Sequence, residues 1–258
     1  MLTLVKKDEQ QELLDRLQVV VLDCPFDTFA DPLTQKYFGR YIALKLDGFM
    51  NEYEKGILPL GAYDFIGTIV MICEKNGDEL QPITCFKSTT LDRAKEFNLA
   101  FELTHLFHTE AERENCEYVE GLISRVVSEG KKLGYNSSWT MSAKWGRGTP
   151  LRKFMLNLSV SALANYYTEY GIQEVLSAGV LRFKIDQFQK NMGFDFIQYN
   201  GKALPPMETW FAKKEKVLLM HLTKFSVETL AAAKAYRSLW DRRITLDSAH
   251  FEKKKSAA

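Results

Sequence analysis

The 258-residue chain is short of net charge, of cysteine and of long apolar runs, and each shortage removes a class of function. Its 34 Lys and Arg against 33 Asp and Glu leave a net charge of +1. No overall electrostatic footprint therefore points to nucleic acid or to an anionic membrane surface. The four cysteines, Cys24, Cys73, Cys85 and Cys116, contain no C-x-x-C pair. Three sit in or beside apolar, strand-like runs, the pattern of reduced, mostly buried thiols in a cytosolic protein. No apolar stretch approaches the ~20 residues of a membrane span; the longest candidate, Phe65 to Cys73, is strand-sized. The N-terminus, MLTLVKKDEQQELLDRL, has no charged-then-apolar leader pattern and reads as a short amphipathic helix. A cytoplasmic protein is the expectation. There is no internal repeat and no low-complexity segment.

What remains is an ordinary globular balance, 46% hydrophobic and 26% charged, enough for a core without disulfides. Leu17 to Cys24 is β-branched and apolar, a first strand. Asp31-Pro32 opens a helix, with Asp31 as N-cap and Pro32 at the first helical position. Strands at Phe65–Cys73 and Leu80–Lys87 flank Asn76-Gly77-Asp78, a hairpin signal because Asn-Gly tolerates the positive φ of tight turns. Leu91 to Leu133 is mostly helical, with a break around His108. A strand at Ser137–Lys144, a helix at Thr149–Tyr170, a strand at Glu174–Gly179, a helix at Leu181–Met192 and a strand at Asp195–Tyr199 follow. Val217–Leu222 is a last strand and Val227–Arg243 a C-terminal helix, with FEKKKSAA as a frayed tail. Strands mixed with helices, plus one clear hairpin, predict an α/β (α+β) fold with an antiparallel half.

Ser137 to Tyr199 carries the functional argument. Period-two alternation puts Ser138, Thr140, Ser142 and Lys144 on one strand face and Trp139, Met141, Ala143 and Trp145 on the other. Gly146-Arg147-Gly148-Thr149-Pro150 follows. Its glycines permit a sharp turn and close ligand approach, and Thr149 and Pro150 suit a helix start. A helix start offers unpaired N–H groups and the positive end of its dipole, which attract phosphate. Arg147, Arg152 and Lys153 add charge there. A tight turn with a solvated basic rim is the plain alternative. Gly171 and Gly193 cap the two following helices, and Phe194 returns the chain to a strand.

This order resembles the GCN5-related N-acyltransferase (GNAT) superfamily, and most nearly the branch of acyl-homoserine-lactone (autoinducer) synthases and long-chain N-acyl amino acid synthases. Ala62-Tyr63-Asp64 is similar to that branch's acidic motif, and Lys87-Ser88-Thr89-Thr90 to its turn after the third strand. The resemblance implies a GNAT-like mixed central sheet, antiparallel in its N-terminal half, with helices on both faces and an extra C-terminal helix. It implies one domain over 1–258, its core about 17–223 and a C-terminal helical extension at 224–258. It implies an N-acyltransferase that moves an acyl group from acyl-CoA, or from the phosphopantetheine of an acyl-carrier protein, to an amino-acid-like amine, without metal. The pantetheine arm would lie between two splayed central strands, bound by Met141, Ser142, Ala143, Lys144, Trp145, Gly146, Arg147, Gly148, Thr149 and Arg152. The backbone of Met141 to Ala143 would polarise the acyl carbonyl. Three positions depart from the family: Ala143 replaces a Gln or Arg of the loop, Gln189 a tyrosine acid, and Ser137-Ser138 a strand-opening Glu. A catalytically silent acyl-thioester or lipid-binding module on the same fold is the alternative.

Asp64 and Ser142 are the catalytic candidates. Asp64 is a candidate base, against a plain turn or N-cap carboxylate; no His-Asp partner for Ser142 can be read from the sequence. Glu102, His105, His108 and Glu110 are further candidates for a base; the first three, at helical spacing, read as a metal face or, more plainly, as a polar helix edge. Tyr166, Tyr167 and Tyr170 read as packing aromatics, and Lys213-Lys214-Glu215-Lys216 as a solvated turn. LAAAKAYRSLWDRR is amphipathic enough to dock on the domain or on a second copy.

Overall fold

In a computed structural model, residues 7–53, 60–104, 113–146, 148–209 and 212–257 are described. The local signals hold first. Asp31 caps α3 (Pro32–Glu52) by accepting from Leu33 N at 2.9 Å; α1 (Lys7–Asp15) and the four-residue α2 (Pro25–Thr28) precede it. Gly77, with φ 59°, turns β2 (Thr68–Asn76) into β3 (Glu79–Thr90). β1 (Leu17–Asp23) lies antiparallel to β2, and β4 (Leu133–Met141) antiparallel to β3, so the N-terminal half of the sheet is antiparallel as expected. β5 (Glu174–Val180) then pairs parallel to β4, after a crossover through α7 (Arg152–Glu169). β10 (Ala212–Leu222) returns antiparallel on β5 and carries β6 (Asp195–Phe196) and β9 (Met207–Thr209). β7 (Gln198–Tyr199) and β8 (Lys202–Ala203) form a separate hairpin. The large sheet runs β11-β1-β2-β3-β4-β5-β10-β6, where β11 (Ile244–Leu246) pairs parallel to β1.

Helices cover both faces. α3 covers Val20, Leu22, Ile69, Met71 and Cys85. Beside it α6 (Arg113–Ser128) covers Leu133, Tyr135, Leu176 and Leu219; α4 (Ala62–Ile66) and α5 (Leu91–Glu96) complete this side. On the opposite face α7 buries Met155, Leu158, Leu163, Tyr166 and Tyr167 against Val19, Val21, Val70 and Phe86. α8 (Ile185–Met192), α9 (Val227–Ala235) and α10 (Arg237–Asp241) join that layer, and α11 (Ser248–Ala257) ends the described chain. Among the described residues no helix is long and apolar enough to cross a membrane.

Several boundaries differ from expectation for local reasons. β4 begins at Leu133 and stops at Met141, and Ala143–Trp145 is a 3-10 turn rather than strand. α7 starts at Arg152, because the Thr149 hydroxyl donates back to Gly146 O at 2.9 Å instead of capping a helix. The expected strand Asp195–Tyr199 is split between two sheets. Lys213 to Lys216 lie in β10, not in a turn. The tail expected to fray is helical through Ala257. The C-terminal amphipathic segment docks on its own domain: Asn165 Nδ2 of α7 donates to Ala233 O at 3.2 Å, and Trp240 Nε1 to Glu169 at 2.7 Å. All four cysteines are free. Burial pushes the Cys85 thiol up to about 12 and the Cys24 thiol to about 11, so both stay protonated.

Candidate functional site

β4 and β5 pair at only four positions, from Leu133 opposite Glu174 to Asn136 opposite Ser177. Beyond these the strands part. β4 continues to Met141 with β3 on its other side, and β5 continues to Val180 with β10 on its other side. The result is a fork whose two inner edges carry no strand among the described residues. A bulge begins at the fork: Cys85 faces Thr140 and Lys87 faces Ser137, so Phe86 opposes both Ser138 and Trp139. Ser138 takes φ 56° to make it. Ser142 N donates to Ile83 O at 2.7 Å. Alternation along the strand therefore aims the Met141 N–H into the fork. Of the N–H groups at Met141 to Ala143, that of Ser142 is spent on β3.

α8 closes one side of the fork. It packs so tightly on β5 that a Cβ on Gly179 would sit 2.8 Å from Ile185 Cγ2. Phe188 meets Trp139 edge-on across the fork at 5.3 Å between centroids. Gln189, at the position where the resemblance expects a tyrosine, donates through Nε2 to Ser177 Oγ at 2.6 Å. At the apex Asn136 Oδ1, Ser137 Oγ and Gln189 Oε1 are buried and find no hydrogen-bond partner among the described residues.

The loop after β4 curls beside the fork mouth. Trp145 and Gly146 are buried, Gly148 is exposed at φ 78°, and a Cβ there would meet nothing within 4 Å. Lys144 lies 3.3 Å from Glu74 and over the Trp145 ring. Arg152 and Lys153 stand exposed at the start of α7. Arg147 lies outside the described residues, as do His105, His108 and Glu110.

Asp64 sits on the opposite face, under α3. Its carboxylate accepts from Tyr41 OH and Lys45 Nζ, each at 2.7 Å, and from Gly61 N at 3.1 Å, with Lys87 Nζ at 3.6 Å. Lys87 also binds Glu102 at 2.8 Å, and Thr89 Oγ1 donates to Glu102 at 2.7 Å. Burial raises the Asp64 pKa, but Lys87 and Lys45 outweigh it and hold the carboxyl below its usual range. Burial and the neighbouring Lys87 lower Lys45. Burial opposes charge on Lys87, yet Glu102 and Asp64 prevail and raise it. Asp64 is thus both the N3 partner in the capping of α4 and the centre of a balanced buried ion cluster, a poor place to accept a proton at neutral pH. Tyr41, whose hydroxyl also approaches Ser138, links this cluster to the bulge.

A second cluster, built around the buried Glu174, escaped the sequence. His221 of β10 contacts Glu174 through Nε2 at 2.9 Å and Tyr118 OH through Nδ1 at 3.0 Å, while Arg125 grips Glu174 at 2.9 and 2.6 Å. It ties α6 to the paired end of β5.

No family sequence model and no curated protein matches the chain. Solved structures do. BjaI, a CoA-dependent acyl-homoserine lactone synthase solved with SAM and isopentyl-CoA, aligns with TM-score 0.53 at 11% identity over 89% of this chain and 92% of its own. The fold is GNAT-like. Two further similar structures are MesI, a CoA-dependent acyl-homoserine lactone synthase (TM-score 0.48, 10% identity, 89% of this chain and 100% of that one), and FeeM, an N-acyl amino acid synthase from uncultured soil microbes (TM-score 0.46, 13% identity, 87% and 94%). Such identities speak to fold and leave activity to the site itself.

Proposed function

We propose that the chain is an N-acyltransferase that takes its acyl group from a pantetheine thioester, acyl-CoA or acyl-carrier protein, and passes it to an amine. The observation that supports this reading most directly is the fork. Two strand edges part around a bulge, with a backbone N–H aimed inward and buried oxygen atoms at the apex that need partners. An extended amide-bearing arm adds to a free strand edge by main-chain hydrogen bonds, and beyond Asn136 and Ser177 both inner edges of the fork offer such groups. The residues present therefore fit a pantetheine group. On this reading Lys144, Trp145, Gly146, Gly148, Thr149, Arg152 and Lys153 would take its phosphate end, and Arg147, outside the described residues, would add its charge.

The chemistry needed is modest. The thioester carbonyl must be polarised, and the Met141 N–H does so as a preorganised donor. The amine must be held close and neutral; alignment alone contributes up to roughly 7–11 kcal/mol to lowering the barrier. The ion cluster around Asp64 gives that residue a positioning role: through Tyr41 it braces the bulge that aims the donor. Ser142 offers its side chain beside the loop, its N–H being engaged by Ile83.

One observation favours the silent-module reading. Gln189 cannot supply a proton to a departing thiolate, and its Nε2 is committed to Ser177. The two readings separate in one experiment. Acyl-CoAs from acetyl to dodecanoyl are titrated into the protein by calorimetry, and free thiol is then measured with mixed amino acids as acceptors. Tight binding with amine-dependent thiol release supports the transferase; binding without release supports the module. Trp139→Ala and Arg152→Glu are each expected to weaken binding about tenfold with the fold intact. No binding of any thioester overturns both readings.

A further inference from the structure

The register of five strands places one polar residue from each in a straight line. Asp23 of β1 faces Thr68 of β2, Thr68 faces Ser88 of β3, Ser88 faces Asn136 of β4, and Asn136 faces Ser177 of β5. Residues opposed across paired strands point to the same side of a sheet. Ser88 lies against Tyr166 and Tyr167, so the row faces α7. The rest of that face is apolar, with Val19, Val21, Val70 and Phe86 beside the row. Thr68, Ser88, Asn136 and Ser177 are none of them more than 6% exposed.

The two ends of the row are satisfied and its middle is not. Thr68 Oγ1 donates to Asp23 at 2.8 Å, and Gln189 Nε2 donates to Ser177 at 2.6 Å. Between them Ser88 Oγ, Asn136 Oδ1, Gln189 Oε1 and Tyr167 OH make no hydrogen bond with the described residues, although Tyr166 and Tyr167 bring their hydroxyls to Ser88. Buried polar atoms are nearly always paired with protein or with ordered water. Asp23, Thr68 and Ser88 also line a cavity of about 210 Å³. It is bounded further by Arg93, Lys132, Tyr166 and Tyr170. At ~30 Å³ per water this volume holds several molecules among many polar partners. The other end of the row is the apex of the fork.

We propose that this row is a hydrated proton path that drains the fork into the Asp23 cavity. The inference rests on the transferase reading. When an ammonium is acylated, the C–N bond forms and the C–S bond breaks. Of the ammonium's three protons, one stays on the amide nitrogen, one goes to the thiolate sulfur, and one must leave. The amide oxygens of Asn136 and Gln189 hold water and carry no proton themselves. The hydroxyls of Ser88, Tyr166 and Thr68 accept and donate in turn, and bulk water at the cavity mouth takes the proton beside Asp23.

Two measurements test this. A crystal structure that resolves waters should place them within hydrogen-bonding distance of Ser88 Oγ, Asn136 Oδ1 and Gln189 Oε1; a dry row overturns the proposal. In dilute buffer, Ser88→Ala and the near-isosteric Thr68→Val should each cut amine-dependent thiol release about tenfold or more, as loss of a proton-transfer group does. The affinity for acyl-CoA should not change, and high imidazole should restore most of the rate by carrying the proton instead. Equal turnover in the folded variants, or a loss that imidazole leaves untouched, overturns the path. A wild-type protein that binds acyl-CoA and releases no thiol with any amine overturns the transferase reading and the proton role with it, which the crystal waters, read separately, distinguish from a dry row.

Discussion

Replacing Asp64 by Asn removes one charge from a buried group of four. Lys45 and Lys87 supply two positive charges and Asp64 and Glu102 two negative ones, and the side chains of Asp64, Lys45 and Lys87 are 3% exposed or less. The variant keeps the side-chain volume but leaves Lys45, now 2.7 Å from an amide, without its partner. It also turns an NH₂ group toward donors that need an acceptor. Removing one partner of a buried ion pair costs about 3–5 kcal/mol. A domain of this size loses about 2–4 °C of Tm per kcal/mol, so the midpoint should fall by roughly 6–20 °C. Circular dichroism melts and urea titrations read this directly. The pair Lys45→Met with Asp64→Leu removes both charges. Because apolar replacement of a buried pair is often neutral, it should recover most of the loss. If Asp64→Asn stays within about 1 kcal/mol of the wild type while thiol release collapses, the carboxylate is a base and the bracing role is wrong.

Other expectations follow from single contacts. Gly48→Ala would set a Cβ 2.0 Å from Thr140 Oγ1; lifting α3 from β4 should cost about 1–3 kcal/mol in urea unfolding. Glu174, despite its burial, is held at about 2 instead of 4.5 by Arg125 and Lys131. A depressed carboxyl pKa stabilises above the unfolded value, so this contribution is complete above pH 4.5 and fades as the pH falls toward 2. His221 acts in the same direction from 6.5 downward, because burial lowers its pKa in the folded state. Glu174→Gln should flatten the acid limb of a stability–pH curve, and an unchanged limb would remove the cluster from that role.

The parts of the fold legible in the sequence are those decided within a few residues. Asn76-Gly77, Asp31-Pro32 and Gly193-Phe194 each fix a backbone turn by their own stereochemistry, and each is where it was expected. Ser137 to Lys144 misled as a strand because Gly134 hid the true start of β4, while the real stop came from a 3-10 turn that no single residue announces. Thr149 had the chemistry of an N-cap and spent it on Gly146 O instead. The Asp64 cluster needs α3, β3 and Glu102 to converge, and the polar row needs four inter-strand registers at once. Neither exists as a pattern along the chain. The fork was expected from a resemblance, and its bulge at Ser138 falls three residues before Met141.

The short strand β11 has a consequence for how the protein is made. Val20, Val21 and Leu22 of β1 find their outer partners in Ile244 to Leu246, and Gln18 Nε2 reaches back to the Arg242 carbonyl at 2.5 Å. The apolar strand that starts the sheet is therefore left with an open edge until Ile244 to Leu246, more than two hundred residues later, have left the ribosome. At ~5–20 residues per second that wait is on the order of ten seconds or more, and an uncovered β-branched edge is a template for pairing with other chains. The segment from Ile244 onward, remote from the fork, thus acts as a seal on nascent-chain solubility. A truncation before Ile244 would leave every residue of the fork in place and still yield a protein that aggregates during synthesis.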